Sequence, residues 1–140
     1  MQKTGKNRNT IDKFYTNPSI VKKYIDKFKP YIGKNDLIIE PSAGCGVWTT
    51  PLHMYNLIAF DIQPEGEGIQ QMDFLGVDLY AFQSKLHFIG NPPFGRQSSL
   101  AKKFIKHICS CEKTQTIAFI LPKSFKKDSF QRVFPVNYHL

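Results

Sequence analysis

The stretch LIIEPSAGCG, residues 37–46, decides the fold of this chain of 140 residues. Three apolar residues are followed by an acid, a proline and two glycines, a pattern typical of a buried strand that ends in a tight turn. Because Gly44 and Gly46 have no side chains, a ligand can approach the backbone of that turn closely. The stretch therefore predicts a strand, a glycine turn and then a helix.

Similar apolar runs occur three more times along the chain. They cover residues 57–60, 88–89 and 116–121. Each run stops at a polar residue or at a Gly/Pro cluster. Apolar residues at helical spacing follow Pro18, and they recur after Ser98 and Ser99, either of which can cap a helix. Strands that alternate with helices predict an α/β fold, doubly wound around a mostly parallel sheet.

The chain carries a net charge of +8, and its basic residues are concentrated in two blocks. Residues 1–29 hold eight Lys or Arg against two acids, and residues 96–132 hold nine against two. Residues 30–95 hold two against seven. Basic surfaces attract phosphate backbones, so RNA or DNA is an expected partner, although a solvated lysine-rich surface explains the charge equally well.

Length and composition exclude several classes of protein. A chain of this length forms one core, and we expect a flexible basic head at residues 1–10 before a core at residues 11–140.

No apolar run approaches the ~20 residues that span a membrane, and no signal-peptide core is visible, so no membrane partner is expected. Three cysteines are an odd number that suits a reducing compartment, either the cytoplasm or another intracellular compartment, and the host cytoplasm if the chain is viral. The His107-x-Cys109-x-Cys111 cluster lacks the two separated pairs of a zinc site, so no metal site is predicted.

An acidic residue ends the second apolar run. Asp61 lies 21 residues beyond Glu40, where its carboxylate can accept hydrogen bonds from both hydroxyls of a ribose. This spacing predicts a nucleoside cofactor. A dinucleotide fingerprint needs a third glycine, but Thr49 occupies that position, and the nearby acids suit a cation such as a sulfonium better than a diphosphate. The pattern favours a methyl donor over NAD.

The most specific motif is Asn-Pro-Pro-Phe at residues 91–94, directly after an apolar run. Two consecutive prolines fix φ and remove two backbone donors, so carbonyl oxygens project from a stiff turn between an amide side chain and an aromatic ring. Such a turn can bind an amino group. Because it follows Glu40, the glycines and Asp61 in order, we interpret it as a functional turn.

With these motifs in this order, the chain resembles the amino-methylating, S-adenosylmethionine-dependent methyltransferases that carry an N-P-P-F or N-P-P-Y signature. The resemblance covers nearly the whole chain. It is carried by residues 12–18, 40–46, 60–62, 73–74, 91–94 and 121–125. It implies a Rossmann-like methyltransferase fold with S-adenosyl-L-methionine as the cofactor.

The resemblance also implies a role for each motif. The T-x-P turn and the glycine loop would hold the methionine end of the cofactor, the strand end at residues 60–62 its ribose, and the acidic-aromatic pair its adenine ring. The implied cofactor-binding residues are Phe14, Tyr15, Thr16, Glu40, Pro41, Ser42, Gly44, Gly46, Asp61, Ile62, Asp73, Phe74 and Asn91. The implied catalytic residues are Asn91, Pro92, Pro93 and Phe94.

The implied reaction is methylation of an exocyclic amino group of a nucleic-acid base, with adenine N6 in RNA or DNA as the first expectation. The Asn91 side-chain oxygen and the Pro92 carbonyl would accept the N–H bonds of the amine while Phe94 stacks on the base. N5-methylation of a protein glutamine is the alternative, because that amide presents the same planar amine. An inactive or partner-dependent methyltransferase-like subunit is the second alternative.

The sheet of this family has seven strands, whereas the apolar runs of this chain reach only a fifth strand at residues 116–121. The resemblance therefore predicts a catalytic core that is truncated after the fifth strand and lacks the last strands of the sheet. An unpaired edge strand favours association with another chain, so we expect a protein partner to cover it.

Overall fold

In a computed structural model, which describes residues 16–139, helices and strands alternate along the chain. The helices are α1 (Pro18–Phe28), α2 (Ser99–Cys109) and the short α3 (Asp128–Gln131). The strands are β1 (Leu37–Glu40), β2 (Leu57–Asp61), β3 (Gln70–Gln71), β4 (Leu86–Gly90) and β5 (Thr114–Phe119). The predicted head at residues 1–10 and the predicted site residues Phe14 and Tyr15 lie outside the described residues. No helix in residues 16–139 is both long enough and apolar enough to cross a membrane.

The five strands form one sheet in the order β3-β2-β1-β4-β5, and every neighbouring pair is parallel. The chain moves outward from β1 to β3 on one side and from β4 to β5 on the other. Strand order therefore reverses between β1 and β4, the switch point of a doubly wound, Rossmann-like sheet. The predicted fold class is confirmed, with five strands in the described part of the chain.

The apolar strands face two cores, because successive side chains of a strand point to opposite faces. Ile38 and Ile89 pack with α1 and with Trp48 on one face. Ile39 and Phe88 pack with residues of α2 on the other face. The central strands are thus buried on both sides, which explains why they consist of continuous apolar runs rather than alternating patterns.

Phe74 lies at the centre of the core on the α2 side, where its side chain is 1% exposed. Its ring centroid is 5.1 Å from that of Phe104 and 6.0 Å from that of Phe88. The rings of Phe60, at 6.5 Å, and His107, at 5.2 Å, complete the cluster. Such aromatic pairs contribute about 0.5–1.5 kcal/mol each beyond the area they bury. Phe74 therefore ties β2 and β4 to α2.

The helix predicted after Gly46 is wrong. Residues 47–56 form turns and one 3-10 helix, Thr50–Leu52. Pro51 explains the difference, because a proline inside an α-helix lacks an N–H and its ring clashes with the carbonyl four residues earlier. Trp48 and Leu52 are nevertheless buried on the α1 face, so this connection covers the sheet without a full helix.

The smaller details of the sheet also differ from the prediction. β3 consists of two exposed glutamines, which carry no apolar signal. β5 begins at Thr114 and ends at Phe119 rather than spanning residues 116–121. Ser98 takes the N-cap position of α2, but within residues 16–139 its side chain makes no capping hydrogen bond.

β5 forms one edge of the sheet, and among residues 16–139 it pairs with β4 alone. The residues after β5 fold back over α2, where Lys102 Nζ lies 3.7 Å from the centroid of the Phe130 ring. A cleft of about 650 Å³ remains beside β5, with Tyr31 on one wall and Tyr138 on the other. The predicted open edge is therefore present in the described part of the chain.

A buried chain of hydrogen bonds lies at the start of β4, away from the carboxyl ends of the strands. His87 is 1% exposed, its Nδ1 is 2.7 Å from Thr116 Oγ1, and its Nε2 is 2.8 Å from Asp36 Oδ2. The hydrogen bond with His87 lowers the pKa of the Asp36 carboxyl, and the Gly33 backbone N–H, which donates to Asp36 Oδ2 at 2.8 Å, acts in the same direction. These contacts join the loop before β1 to β4 and β5.

Phe74→Ala is expected to lower the free energy of unfolding by about 3–5 kcal/mol, because it leaves a cavity between the sheet and α2. Chemical denaturation followed by circular dichroism measures the change. The control is Tyr31→Ala, at a side chain that is 67% exposed, with an expected change below about 0.5 kcal/mol. Equal effects of the two substitutions would contradict the central position of Phe74.

Asp36→Asn is expected to reduce the loss of stability in acid. Because the folded-state pKa of Asp36 is lowered, its contribution is complete above the unfolded value of about 3.9 and is lost as pH falls through the folded pKa. Urea denaturation between pH 5 and pH 2 should therefore show a shallower decline in the variant than in the wild type. The exposed Asp26→Asn serves as the control and should retain the wild-type decline. Parallel declines for the wild type and Asp36→Asn would refute this role of the pair with His87.

Candidate functional site

The predicted motifs meet at the carboxyl ends of β1 and β4, which is the crevice where open α/β sheets bind ligands. Glu40 is the last residue of β1, Gly90 is the last residue of β4, and Asn91 follows it directly. The glycine loop, residues 41–46, leaves β1 at the same edge and returns toward β2. The parallel register therefore brings together residues that are 50 positions apart in the chain.

Glu40 is the most unusual side chain of this crevice. It is 1% exposed, and neither carboxylate oxygen has a hydrogen-bond partner within residues 16–139. Its side chain lies against Gly90, where an added Cβ would come within 3.2 Å of Glu40 Cγ. Gly90 also has φ +143°, which side-chain-bearing residues rarely adopt. Gly90 is a residue of the candidate site that sequence reasoning missed, although a glycine at a strand end just before the Asn-Pro-Pro-Phe turn was an available signal.

Burial raises the pKa of Glu40 well above its ordinary value, and the negative charge of Asp61 raises it further. Burial has this effect because a low-dielectric environment disfavours the charged form of a carboxyl group. Without a cationic partner, the Glu40 carboxyl therefore favours its protonated form.

Asn91 is held by contacts to two other predicted site residues. Its Nδ2 donates to Thr16 Oγ1 at 3.3 Å, and its backbone carbonyl accepts a hydrogen bond from Ser42 Oγ at 3.2 Å. Its side-chain oxygen Oδ1 is buried and has no hydrogen-bond partner in the part of the chain that the structure describes. A buried acceptor without a partner is rare in native proteins, because leaving it unpaired costs about 1–3 kcal/mol. The unpaired oxygen is therefore a candidate ligand contact.

The turn after Asn91 is anchored to α2. Pro92 is buried, and Pro93 and Phe94 are half-buried. The Phe94 carbonyl accepts backbone hydrogen bonds from Leu100 at 3.1 Å and from Ala101 at 3.2 Å. These bonds fix the turn to the first turn of the helix, so its geometry is set by the sheet on one side and by α2 on the other.

The backbone between this turn and α2 is strained. Gln97 has φ +54° and Ser98 has φ +60°, a region that residues with side chains populate uncommonly. Each such residue costs about 1–3 kcal/mol, and strain of this kind clusters at functional sites. Sequence reasoning gave no warning of it, because neither residue type is characteristic of this conformation.

Asp61 holds the glycine loop in place. Its Oδ2 accepts a hydrogen bond from the Gly44 backbone N–H at 2.8 Å, and its Oδ1 accepts one from Gln63 N–H at 2.7 Å. Each carboxylate oxygen keeps a further lone pair for a ribose hydroxyl, so ribose binding stays a prediction. Gly44 has φ +55° and open space where a side chain would lie, whereas a side chain at Gly46 would meet Thr49. The loop therefore opens toward a ligand at Gly44 and not at Gly46.

The remaining predicted cofactor residues differ in how accessible their side chains are to a ligand. Ile62 is 50% exposed and follows Asp61 directly, and Pro41 is buried beneath the loop. Asp73 is exposed, and its Oδ1 accepts a hydrogen bond from Leu75 N–H at 3.0 Å. The Phe74 ring lies in the core at 1% exposure. The Asp73 carboxylate and the Phe74 backbone are therefore the groups of this pair left to contact adenine, and adenine binding stays a prediction.

A metal site would need several metal-ligating side chains close together. Residues 16–139 contain no group of three or more His, Cys, Asp or Glu side chains placed to hold a metal ion. In the cluster around α2, His107 Nε2 is 2.8 Å from the Val77 carbonyl, and Cys111 is buried. These side chains thus have contacts within the fold.

No protein-family model, curated protein or solved structure matches this chain. What the chain does is therefore inferred from its own residues and their geometry.

Glu40→Gln is expected to raise the free energy of unfolding of the ligand-free protein at neutral and alkaline pH. Because the folded-state pKa is raised, the native protein binds more protons at Glu40 than the unfolded chain does, so stability falls as pH rises above about 4.3. Glutamine keeps the shape but cannot ionise, so its advantage should widen as pH rises toward the folded pKa. Denaturation at pH 5, 7 and 9 measures this, with the exposed Glu67→Gln as the control. A constant difference across this pH range would show that Glu40 is not protonated in the folded protein.

Proposed function

We propose that this chain is an S-adenosylmethionine-dependent methyltransferase that acts on an exocyclic amino group of a nucleic-acid base, with adenine N6 in RNA or DNA as its first target. The observation that carries the proposal is the buried Oδ1 of Asn91, which has no hydrogen-bond partner among residues 16–139 and lies at the carboxyl end of β4 in the candidate crevice. Such an acceptor suits a donor that arrives with a ligand.

An exocyclic amine is a poor nucleophile because its lone pair is delocalised into the ring. An acceptor that takes up its N–H bonds favours a pyramidal nitrogen with a localised lone pair. Asn91 Oδ1 and the Pro92 carbonyl are in this proposal the two acceptors. Because Thr16 and Ser42 already hold Asn91, the acceptor needs no reorganisation when the amine arrives.

The residues of the crevice fit the proposed cofactor. Glu40 offers to a cation two oxygens that have no hydrogen-bond partner among residues 16–139, and Gly44 has open space where a side chain would lie. Asp61 and the exposed Ile62 lie at the adjacent strand end for the ribose. Asp73 is in reach of solvent for the adenine ring. When bound, S-adenosylmethionine supplies an electrophilic methyl group. The chain's own residues bind the cofactor and the target amine, orient them, and exclude water from the crevice.

The target base would be held by the turn that carries Asn91. Phe94 is half-buried at the end of this turn, where its ring is proposed to stack on the base. A base inside a duplex would have to be flipped out, or presented in a single strand, to reach the turn. Exposed lysines follow the turn along the chain and support a phosphate backbone as partner. They are Lys103, Lys106, Lys123, Lys126 and Lys127.

The test is methyl transfer from radiolabelled S-adenosylmethionine to matched oligonucleotides. Single strands that contain adenine should be labelled, whereas the same strands with purine in place of adenine, which lack the amino group, should not. Asn91→Ala should reduce the rate about 100-fold or more, since it removes a preorganised contact to the reacting group. Asn137→Ala, at an exposed asparagine near the C-terminus, is the control and should leave the rate unchanged.

Circular dichroism and cofactor binding verify that Asn91→Ala is folded. Label on glutamine residues of added protein, and not on the oligonucleotides, would replace the proposal with protein N5-methylation. Cofactor binding without any label transfer would instead identify a partner-dependent or inactive subunit. Equal rates for Asn91→Ala and the wild type would refute the role of the turn.

A further inference from the structure

Two acids lie close together beneath the proposed cofactor site, and their surroundings differ. Asp61 accepts hydrogen bonds from two backbone N–H groups, at 2.8 Å and 2.7 Å. Glu40 is 1% exposed and accepts no hydrogen bond from residues 16–139. Burial of a carboxyl group without hydrogen bonds favours its neutral form. Glu40 is therefore the acid of this pair that is suited to hold a proton.

We propose that Glu40 is a proton-exchange site, whose carboxyl is neutral in the ligand-free protein and gives up its proton when a cationic group of the cofactor binds beside it. This inference rests on the proposed function, since it takes S-adenosylmethionine as the source of the cation. It goes further by coupling the occupancy of the site to pH.

Among residues 16–139, the groups packed around Glu40 offer it no cation. From β2 it faces Asp61, whose negative charge raises the pKa of Glu40. From β4 and the turn after it, it faces Gly90, and Asn91 lies at the same edge; neither residue has an ionisable side chain. Asp61 is thus the charged group among the described residues that acts on Glu40, and in this proposal the positive charge that stabilises a Glu40 carboxylate arrives with the ligand.

The exchange balances in atoms and charge. The O–H bond of the Glu40 carboxyl breaks, its proton passes to the solvent, and the carboxylate oxygen pairs with the cation of the ligand. The site then holds two carboxylates and one added positive charge in place of one carboxylate and one neutral acid. Between the pKa of Glu40 in the complex and its higher pKa in the ligand-free protein, each bound cofactor therefore releases close to one proton, and the association constant rises close to tenfold for each pH unit.

Isothermal titration calorimetry with S-adenosylmethionine measures the released proton directly. Titrations at one pH in two buffers of different ionisation enthalpy give different heats if a proton is released. The difference between the two heats, divided by the difference between the two ionisation enthalpies, gives the number of protons released. Glu40→Gln, which mimics the neutral acid, should bind more weakly, release no proton at this position and show a flat pH dependence. Glu67→Gln, at an exposed acid, should behave like the wild type.

Two further titrations sharpen the assignment. Asp61→Asn removes the negative charge that acts on Glu40, so the pH at which proton release fades should shift downward. S-adenosylhomocysteine keeps the ammonium group of the cofactor but lacks the sulfonium. Proton release with both ligands supports the ammonium as the partner of Glu40, and release with S-adenosylmethionine alone supports the sulfonium.

Different results would overturn the two proposals. Tight binding of S-adenosylmethionine without proton release and without pH dependence would overturn the inference and leave the proposed function intact. No binding at any pH would overturn the proposed function. Infrared spectroscopy tests Glu40 without any ligand: the neutral protein should show a protonated-carboxyl band that is missing from Glu40→Gln, and its absence from the wild type would overturn the inference by itself.

Discussion

The parallel pairing of β1 with β4 is the interaction on which the rest of the structure depends. Its register sets Ile39 opposite Phe88, so that both strands end at the same level. Glu40 and Asn91 consequently emerge side by side, and the loop between β1 and β2 can reach across to the turn after β4, where Ser42 contacts Asn91. A shift of one residue would turn these side chains to the opposite faces of the sheet.

Burial of the sheet on both faces then decides the electrostatics of that edge. The cores on the two sides exclude water from the strand ends, so the carboxyl of Glu40 and the amide oxygen of Asn91 become buried groups that find no hydrogen-bond partner among the described residues. Backbone strain at Gln97 and Ser98 follows within a few residues. Each of these features costs free energy, and the aromatic packing around Phe74 offsets part of that cost. Unfavourable features that cluster at one edge of a sheet in this way are characteristic of a functional site.

Much of the architecture could be predicted from local sequence, and the errors have local explanations. Apolar runs located β1, β2 and β4 because these strands are buried on both faces. β3 was missed because two exposed glutamines form it, and the helix after Gly46 failed because Pro51 cannot donate its backbone hydrogen bond. The family resemblance implied a place for Phe74 at the cofactor, whereas hydrophobic packing holds its ring in the core.

The sequence by itself determined the strands, the order of the polar residues after them and the chemistry that these residues can perform, because each depends on side-chain type and short-range spacing. Only the tertiary structure decided which of these residues meet and in what state. Gly90 belongs to the candidate site because the side chain of Glu40 lies against it. Asp61 holds the glycine loop because its carboxylate accepts a hydrogen bond from the Gly44 N–H. The pKa of Glu40 is raised because distant parts of the chain bury it and place Asp61 nearby. Burial and missing hydrogen-bond partners are properties of the assembled neighbourhood, and no single stretch of sequence contains them.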